Sequence, residues 1–382
     1  MKKNIIIFIL IYLILLSTPV IILNNKGTNI LSIIPSQHIK NISINNKKSI
    51  NQKENKKINK EKTQLKELSS IISKAKMNNN EKKSIDDNII KSIKTDGYFN
   101  ILNLQTNEID HISEKDYVIG AVCAEMPPTF HPEALKAQAV SAHTYALKIR
   151  QNEKKHPDPD LKGADFSADP TNWKKYVTKD IAKERFGNKF DEYWNIFESA
   201  TNDVIDTIML YDNEPIIAAY HAISSGKTES AHDIWGGEAP YLIPTESYAD
   251  KLAPEYETTV SYNSDEIKNI LTDNFPDINL PSNPAIWFDN IKRSDSGSVL
   301  NLKLNDYNIP GTKIRNLFNL RSANFTVNYD GQDEFLFIVK GYGHDIGLSQ
   351  YGANYMAING ASFKEILNHY YSNISFAKVL GC

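Results

Sequence analysis

Three stretches of this 382-residue chain carry polar groups that packing alone would not ask for. The first is "GAVCAEMPPTF" at 120–130, where an apolar helix finishes on one acid, Glu125. A glutamate is rarely buried unless something needs it there. The second is "HAISSGKTE" at 221–229, which leaves the end of an apolar strand and offers His221, Ser224, Ser225, Lys227 and Glu229. The third is "GYGHDIGLSQYGA" at 341–353, where glycines allow unusual backbone angles and close approach to a ligand, and His344, Ser349 and Gln350 supply donors and acceptors. Between the first two lies a small-residue helix with two polar exceptions, Gln138 and His143.

Each stretch also has a plain reading. A lone glutamate caps a helix or pairs with a lysine, "SSG" makes a turn, and His143 serves as a satisfied core histidine. Several chemistries are excluded by context. The glycine tract lacks the strand–helix setting and spacing of a dinucleotide fingerprint, and it is not a phosphate-binding loop. His221 and His232 are too few and too far apart to define a metal site. A serine–histidine pair through Ser224 or Ser225 stays open, although no G-x-S-x-G elbow is present.

The elements that must position these groups are legible as follows. Residues 98–112 read as two strands joined at Thr106–Asn107. Ser113 caps the next helix, with Asp116 three residues on, and Pro127 and Pro128 stop it. "HPEALKAQAVSAHTYALKIRQ" is a second helix with Pro132 in its first turn and alanines that admit close packing. A polar loop follows, then a helix with Phe186, Phe190, Tyr193, Trp194 and Phe197 as a core stripe. Strands around an Asp212–Asn213 turn, a mixed segment over 254–340 with a helix at "SDEIKNILTDNF", and a final strand, glycine loop and two helices complete the chain. The irregular order predicts an α+β fold, mainly antiparallel strands with helices around a substrate groove, not a doubly wound sheet.

The chain is not uniform. Residues 4–23 are an uncharged apolar run of the length a bilayer requires. The run is too long, and lacks the small-residue site, for a cleaved signal, so it reads as a single transmembrane anchor with residues 1–3 as a cytoplasmic tip. Residues 24–95 hold 16 lysines against six acids and little apolar content, and read as a disordered tether. The domain over 96–382 carries 25 basic and 40 acidic residues, the wrong sign for a nucleic-acid partner. A division into two lobes falls near residue 250. With only Cys123 and Cys382, the domain relies on its core and not on disulfides.

"AEMPPTFHPEALKAQAVSAHTYAL", "HAISSGKTESAHDIWGGEAPYL" and "GYGHDIGLSQYGA", in that order, resemble the stage II sporulation protein D family of membrane-anchored peptidoglycan lytic transglycosylases, whose neighbouring branch contains amidase enhancers. The resemblance spans about residues 97–377. It implies that Glu125 is the catalytic acid, and that Gln138, His143, His221, Ser224, Ser225, Lys227, Glu229, His344, Ser349 and Gln350 contact glycan. It also implies peptide-stripped glycan strands as substrate, an amidase and a membrane scaffold as partners, no cofactor, and a mother-cell membrane protein facing the forespore. Alternatives are a wall-binding amidase enhancer without catalysis, or a two-carboxylate hydrolase using Glu125 with Asp345 or Asp233. Two positions depart from the family pattern: His143 replaces an arginine, and Asp345 replaces a small residue. Some relatives hold zinc near the second motif through a histidine and cysteines. This chain has His221 but no cysteine there, so no metal is expected.

Overall fold

The computed structural model describes residues 92–381, so the apolar run at 4–23 and nearly all of the tether lie outside the described residues. Among the described residues no helix is long and apolar enough to cross a membrane. The fold is mixed α+β.

The chain opens with β1 (Ser92–Lys94), inside the stretch read as tether. It then forms the hairpin β2 (Tyr98–Asn103) and β3 (Ile109–Ser113), with Asn107 at φ +62° in the turn. Ser113 ends β3 and caps α1 (Glu114–Glu125), its hydroxyl accepting the Asp116 amide at 3.0 Å. The helix stops where Met126 turns extended ahead of the two prolines. A one-turn connection leads to α2 (Pro132–Lys155), capped by the His131 ring. Its small residues bring α1 close. The polar loop that follows is more ordered than its composition suggests. It contributes β4 (Phe166–Ala168), parallel to β2, and returns Val177 against Gly120. A β-carbon at Gly120 would come within 2.2 Å of the Val177 carbonyl oxygen, so only glycine permits this approach.

The aromatic stripe divides at Gly187 into α3 (Lys179–Phe186) and α4 (Phe190–Asn202), with Phe190, Trp194 and Phe197 buried. Then β5 (Thr207–Tyr211) turns at Asp212–Asn213, both at positive φ, into β6 (Glu214–Pro215). A short β7 (Tyr220–His221) and α5 (Ala231–Trp235) follow.

A second hydrophobic cluster is built from β8 (Glu257–Asn263), α6 (Ser264–Asn274), β9 (Asp289–Arg293), β10 (Val299–Leu304), β11 (Tyr307–Pro310), α7 (Gly311–Leu317), β12 (Phe325–Tyr329) and β13 (Glu334–Lys340). Its centre is Phe318, Phe325, Phe335 and Phe337, with β13 antiparallel between β8 and β12. The chain then rejoins the first cluster through β14 (Leu348–Ser349), α8 (Gln350–Ile358), α9 (Phe363–Tyr370) and β15 (Ser375–Leu380). β15 lies between β1, to which it is parallel, and β5, to which it is antiparallel. Most strand pairs are antiparallel, and the parallel ones join segments distant in sequence.

Candidate active site

Glu125 is the last residue of α1, half-buried where the chain turns. Val122, Met126 and Phe130 are all buried in the same core. Burial pushes the Glu125 carboxyl up to about 7, and a hydrogen bond from Gln350 opposes the rise only in part. The helix adds to the effect in direction, since a C-terminus disfavours negative charge. Tyr117 and Tyr220 feel the Glu125 charge, and burial with that charge keeps both phenols protonated.

Gln350 reaches Glu125 because β14 pairs in parallel with β7, with Leu348 opposite Tyr220 and Ser349 opposite His221. Ser349 then caps α8, accepting the Gly352 amide at 3.3 Å, and Gln350 enters the first turn. Its Nε2 donates to Glu125 Oε2 at 3.2 Å and to Gln138 Oε1 at 3.5 Å. Gln138 is fully buried on α2 and its Nε2 has no partner. The turn after Glu125 is fixed from the same helix, because Asn354 Oδ1 accepts the His131 amide at 2.8 Å. Glu125, Gln138 and Gln350 are therefore brought together by α1, α2 and α8.

His143 is not part of that group. Five residues beyond Gln138 it lies on another face of α2, where Nε2 meets Glu114 Oε2 at 3.0 Å. Glu114 also pairs with Arg150 at 3.0 Å and accepts the Thr95 hydroxyl at 3.2 Å. His143 is a core histidine held in this network through Nε2, while its Nδ1 is buried without a partner among the described residues.

The second stretch divides in the same way. Ser224 is buried, its amide donating to Asp250 Oδ2 at 2.9 Å and its hydroxyl accepting the Gly226 amide. Ser225 Oγ donates to the Lys227 and Ser296 carbonyls. Glu229 is sealed, accepting Ser294 Oγ at 2.6 Å and the Ser298 amide at 3.2 Å. These residues fasten the first cluster to the loop between β9 and β10. Lys227 is half-exposed and pairs with Glu246 at 3.6 Å. His221 is buried; its Nδ1 bonds the Ile346 carbonyl at 3.1 Å, and its Nε2 is unpartnered, 4.0 Å from Asp345 Oδ1. Gly343, at φ +132°, lies against this ring, and a β-carbon there would come within 2.5 Å of the His221 Cβ.

In the third stretch His344 Nδ1 accepts the Ile346 amide at 3.1 Å. Burial and the nearby Arg315 charge push His344 down to about 4, so it is neutral at physiological pH. Asp345 adopts φ +63° with its carboxyl almost wholly buried, 4.0 Å from His221 Nε2. Burial and the acids Glu229 and Asp250 hold it well above the ordinary range, and therefore protonated. Asp233 is turned outward, capped by Ser230 and beside His232. No group of three histidine, cysteine, aspartate or glutamate side chains among the described residues is arranged to hold a metal, and Cys123 is buried within α1.

Two residues were not singled out by sequence reasoning. Tyr220 precedes the noted His221 and was hidden in an apolar strand. Asp250 is fully buried, accepts from Ser224 and Ser247 and is raised by burial to about 6; it sits in a stretch whose composition reads as loop.

The stage II sporulation protein family model matches residues 103–211. The chain is 32% identical to stage II sporulation protein D of Bacillus amyloliquefaciens over 73% of this chain and 78% of that protein. It is 31% identical to stage II sporulation protein D of Bacillus subtilis, covering 71% and 76%. It is also 23% identical to the amidase enhancer of Bacillus subtilis, over 66% of this chain and 39% of that protein.

Proposed function

The chain belongs to the stage II sporulation protein D family, and from that premise we propose that it is a lytic transglycosylase acting on peptidoglycan during sporulation, with Glu125 as its single acid and base. The observation that carries this reading is the state of Glu125: a carboxyl raised to about 7 by burial, with one neutral amide as its hydrogen-bond partner.

A carboxyl that holds its proton near neutral pH can donate it to the glycosidic oxygen as the bond to the MurNAc anomeric carbon breaks, freeing the GlcNAc 4-hydroxyl. The carboxylate so formed takes the proton of the MurNAc C6 hydroxyl, whose oxygen attacks the anomeric carbon. A 1,6-anhydro ring closes and Glu125 is again protonated. No water enters the step, so the second carboxylate of ordinary glycosidases is dispensable. The geometry agrees in that respect. Asp345 is sealed against His221 and Glu229, and Asp233 faces outward on α5, so neither pairs with Glu125.

The same reading anchors the chain in the mother-cell membrane through residues 4–23 and extends it on the tether of 24–95. The domain of 96–382 would face the forespore and act with an amidase and a membrane partner. The test is digestion of peptide-stripped peptidoglycan by the purified protein and its Glu125→Gln variant, with product ends read by mass spectrometry. Anhydro-MurNAc from the wild type alone is expected. Reducing MurNAc would replace this reading with a hydrolase, and glycan binding without cleavage would replace it with the amidase-enhancer reading.

A further inference from the structure

A few residues beyond the second stretch, a large apolar ring is left open. Trp235 ends the short α5 with 47% of its surface exposed. The chain leaves it through Gly236 and Gly237, around whose would-be β-carbons there is nothing within 4 Å. One side of the indole rests on His344, ring centroids 5.4 Å apart. His344 in turn lies 5.7 Å from the His221 ring. Two residues before His344, Tyr342 is equally exposed, with Arg321 held 4.2 Å over its ring.

We propose that Trp235, braced on His344, is a stacking platform for a pyranose ring of the glycan strand. The proposal rests on the glycan-cleaving reading above. The link to the acid runs through the third stretch: His344 lies four residues before Leu348, which pairs with Tyr220, and Gln350, which bonds Glu125, follows two residues on. Nδ1 of His344 is taken by the Ile346 amide, and the ring's contribution to the platform is to fix the indole. A neutral imidazole suits that task, since a charged one would need solvent where the indole covers it. The apolar face of an amino-sugar ring needs a flat, uncharged, pre-set surface of this kind. A rigid aromatic contributes area with few torsions to freeze.

The test compares binding of peptide-stripped glycan strands by Glu125→Gln protein with and without Trp235→Ala, measured by sedimentation with the strands. The Glu125→Gln background removes cleavage from the readout. We expect binding to weaken about tenfold on Trp235→Ala, on the order of one aromatic contact, and to be largely kept by Trp235→Phe. Thermal unfolding should be unchanged in both. In the otherwise wild-type protein, Trp235→Ala should raise KM more than it lowers kcat. Equal binding with and without the indole, or no binding by either protein, overturns the platform. Binding that depends on Trp235 in a protein that never cleaves glycan would keep the platform and overturn the lytic reading alone.

Discussion

One helix carries a glutamate at each end, and α2 supplies neighbours to both. Glu114, at the N-terminus of α1, is wholly buried, yet its carboxyl sits below the ordinary range: burial pushes it up, but the bond to His143 and the charges of His143 and Arg150 together outweigh that. Glu125, at the C-terminus, is raised to about 7 by burial, because its one hydrogen-bond partner is a neutral amide that offsets the rise only in part. Burial pushes both carboxyls up, and only the one with charged partners is ionised. The number and charge of the partners, together with the sign of the helix end, decide how far that rise is offset. One glutamate is thereby locked into structure and the other left with a proton to give.

The comparison can be broken most severely at the acid itself. Glu125→Gln should lower anhydro-MurNAc release by about a thousandfold, with the fold intact by circular dichroism. A variant that keeps wild-type rates would mean that the two glutamates do not differ in role. At the other end, Glu114→Ala should destabilise the protein by about 3–5 kcal/mol, because Arg150 is left without its counter-charge and the His143 ring without its partner. Chemical denaturation measures this, and a loss below about 1 kcal/mol would show that the network is not ionised.

The pH dependence of stability should also have opposite signs at the two ends. The Glu125 carboxyl is raised, so its share of stability is full below the ordinary carboxyl value and is lost as pH rises through about 7. Glu114 is depressed, so its share is present above the ordinary value and is lost on acidification. Glu125→Gln should therefore stabilise the protein at pH 8 relative to pH 5, by roughly 2 kcal/mol, in denaturation curves at the two pH values. The smallest effect is expected from Gln350→Ala. The amide bond opposes the rise of Glu125, so removing it should move the alkaline limb of the rate profile to higher pH. A shift to lower pH would mean that the amide favours the protonated acid.

Much of this was legible in the chain. The Ser113 cap, the proline stop after Glu125, the Pro132 start and the Asp212–Asn213 turn are local chemistry, and local chemistry decided them. β15 and its pairing with β1 were not legible, because a parallel pair between residues near 92 and near 378 leaves no local signal. The same holds at the site. Glu125 was conspicuous as an acid in apolar surroundings, but the partners of His143, Ser224 and Glu229 lie 20 to 70 residues away in sequence. Polar residues in a motif read as ligand contacts until the structure gives their hydrogen bonds to Glu114, Asp250 and Ser294. Asp345 shows the limit from the other side: its burial depends on the His221 and Glu229 environment, which sequence spacing does not encode.

The most direct measurement is a carboxyl carbon-13 NMR titration of glutamate-labelled protein, with Glu125→Gln and Glu114→Gln variants to assign the two resonances. The account predicts that the Glu125 signal titrates near pH 7 and that the Glu114 signal remains that of a carboxylate down through the ordinary range. A Glu125 carboxyl that titrates with the exposed glutamates would contradict it.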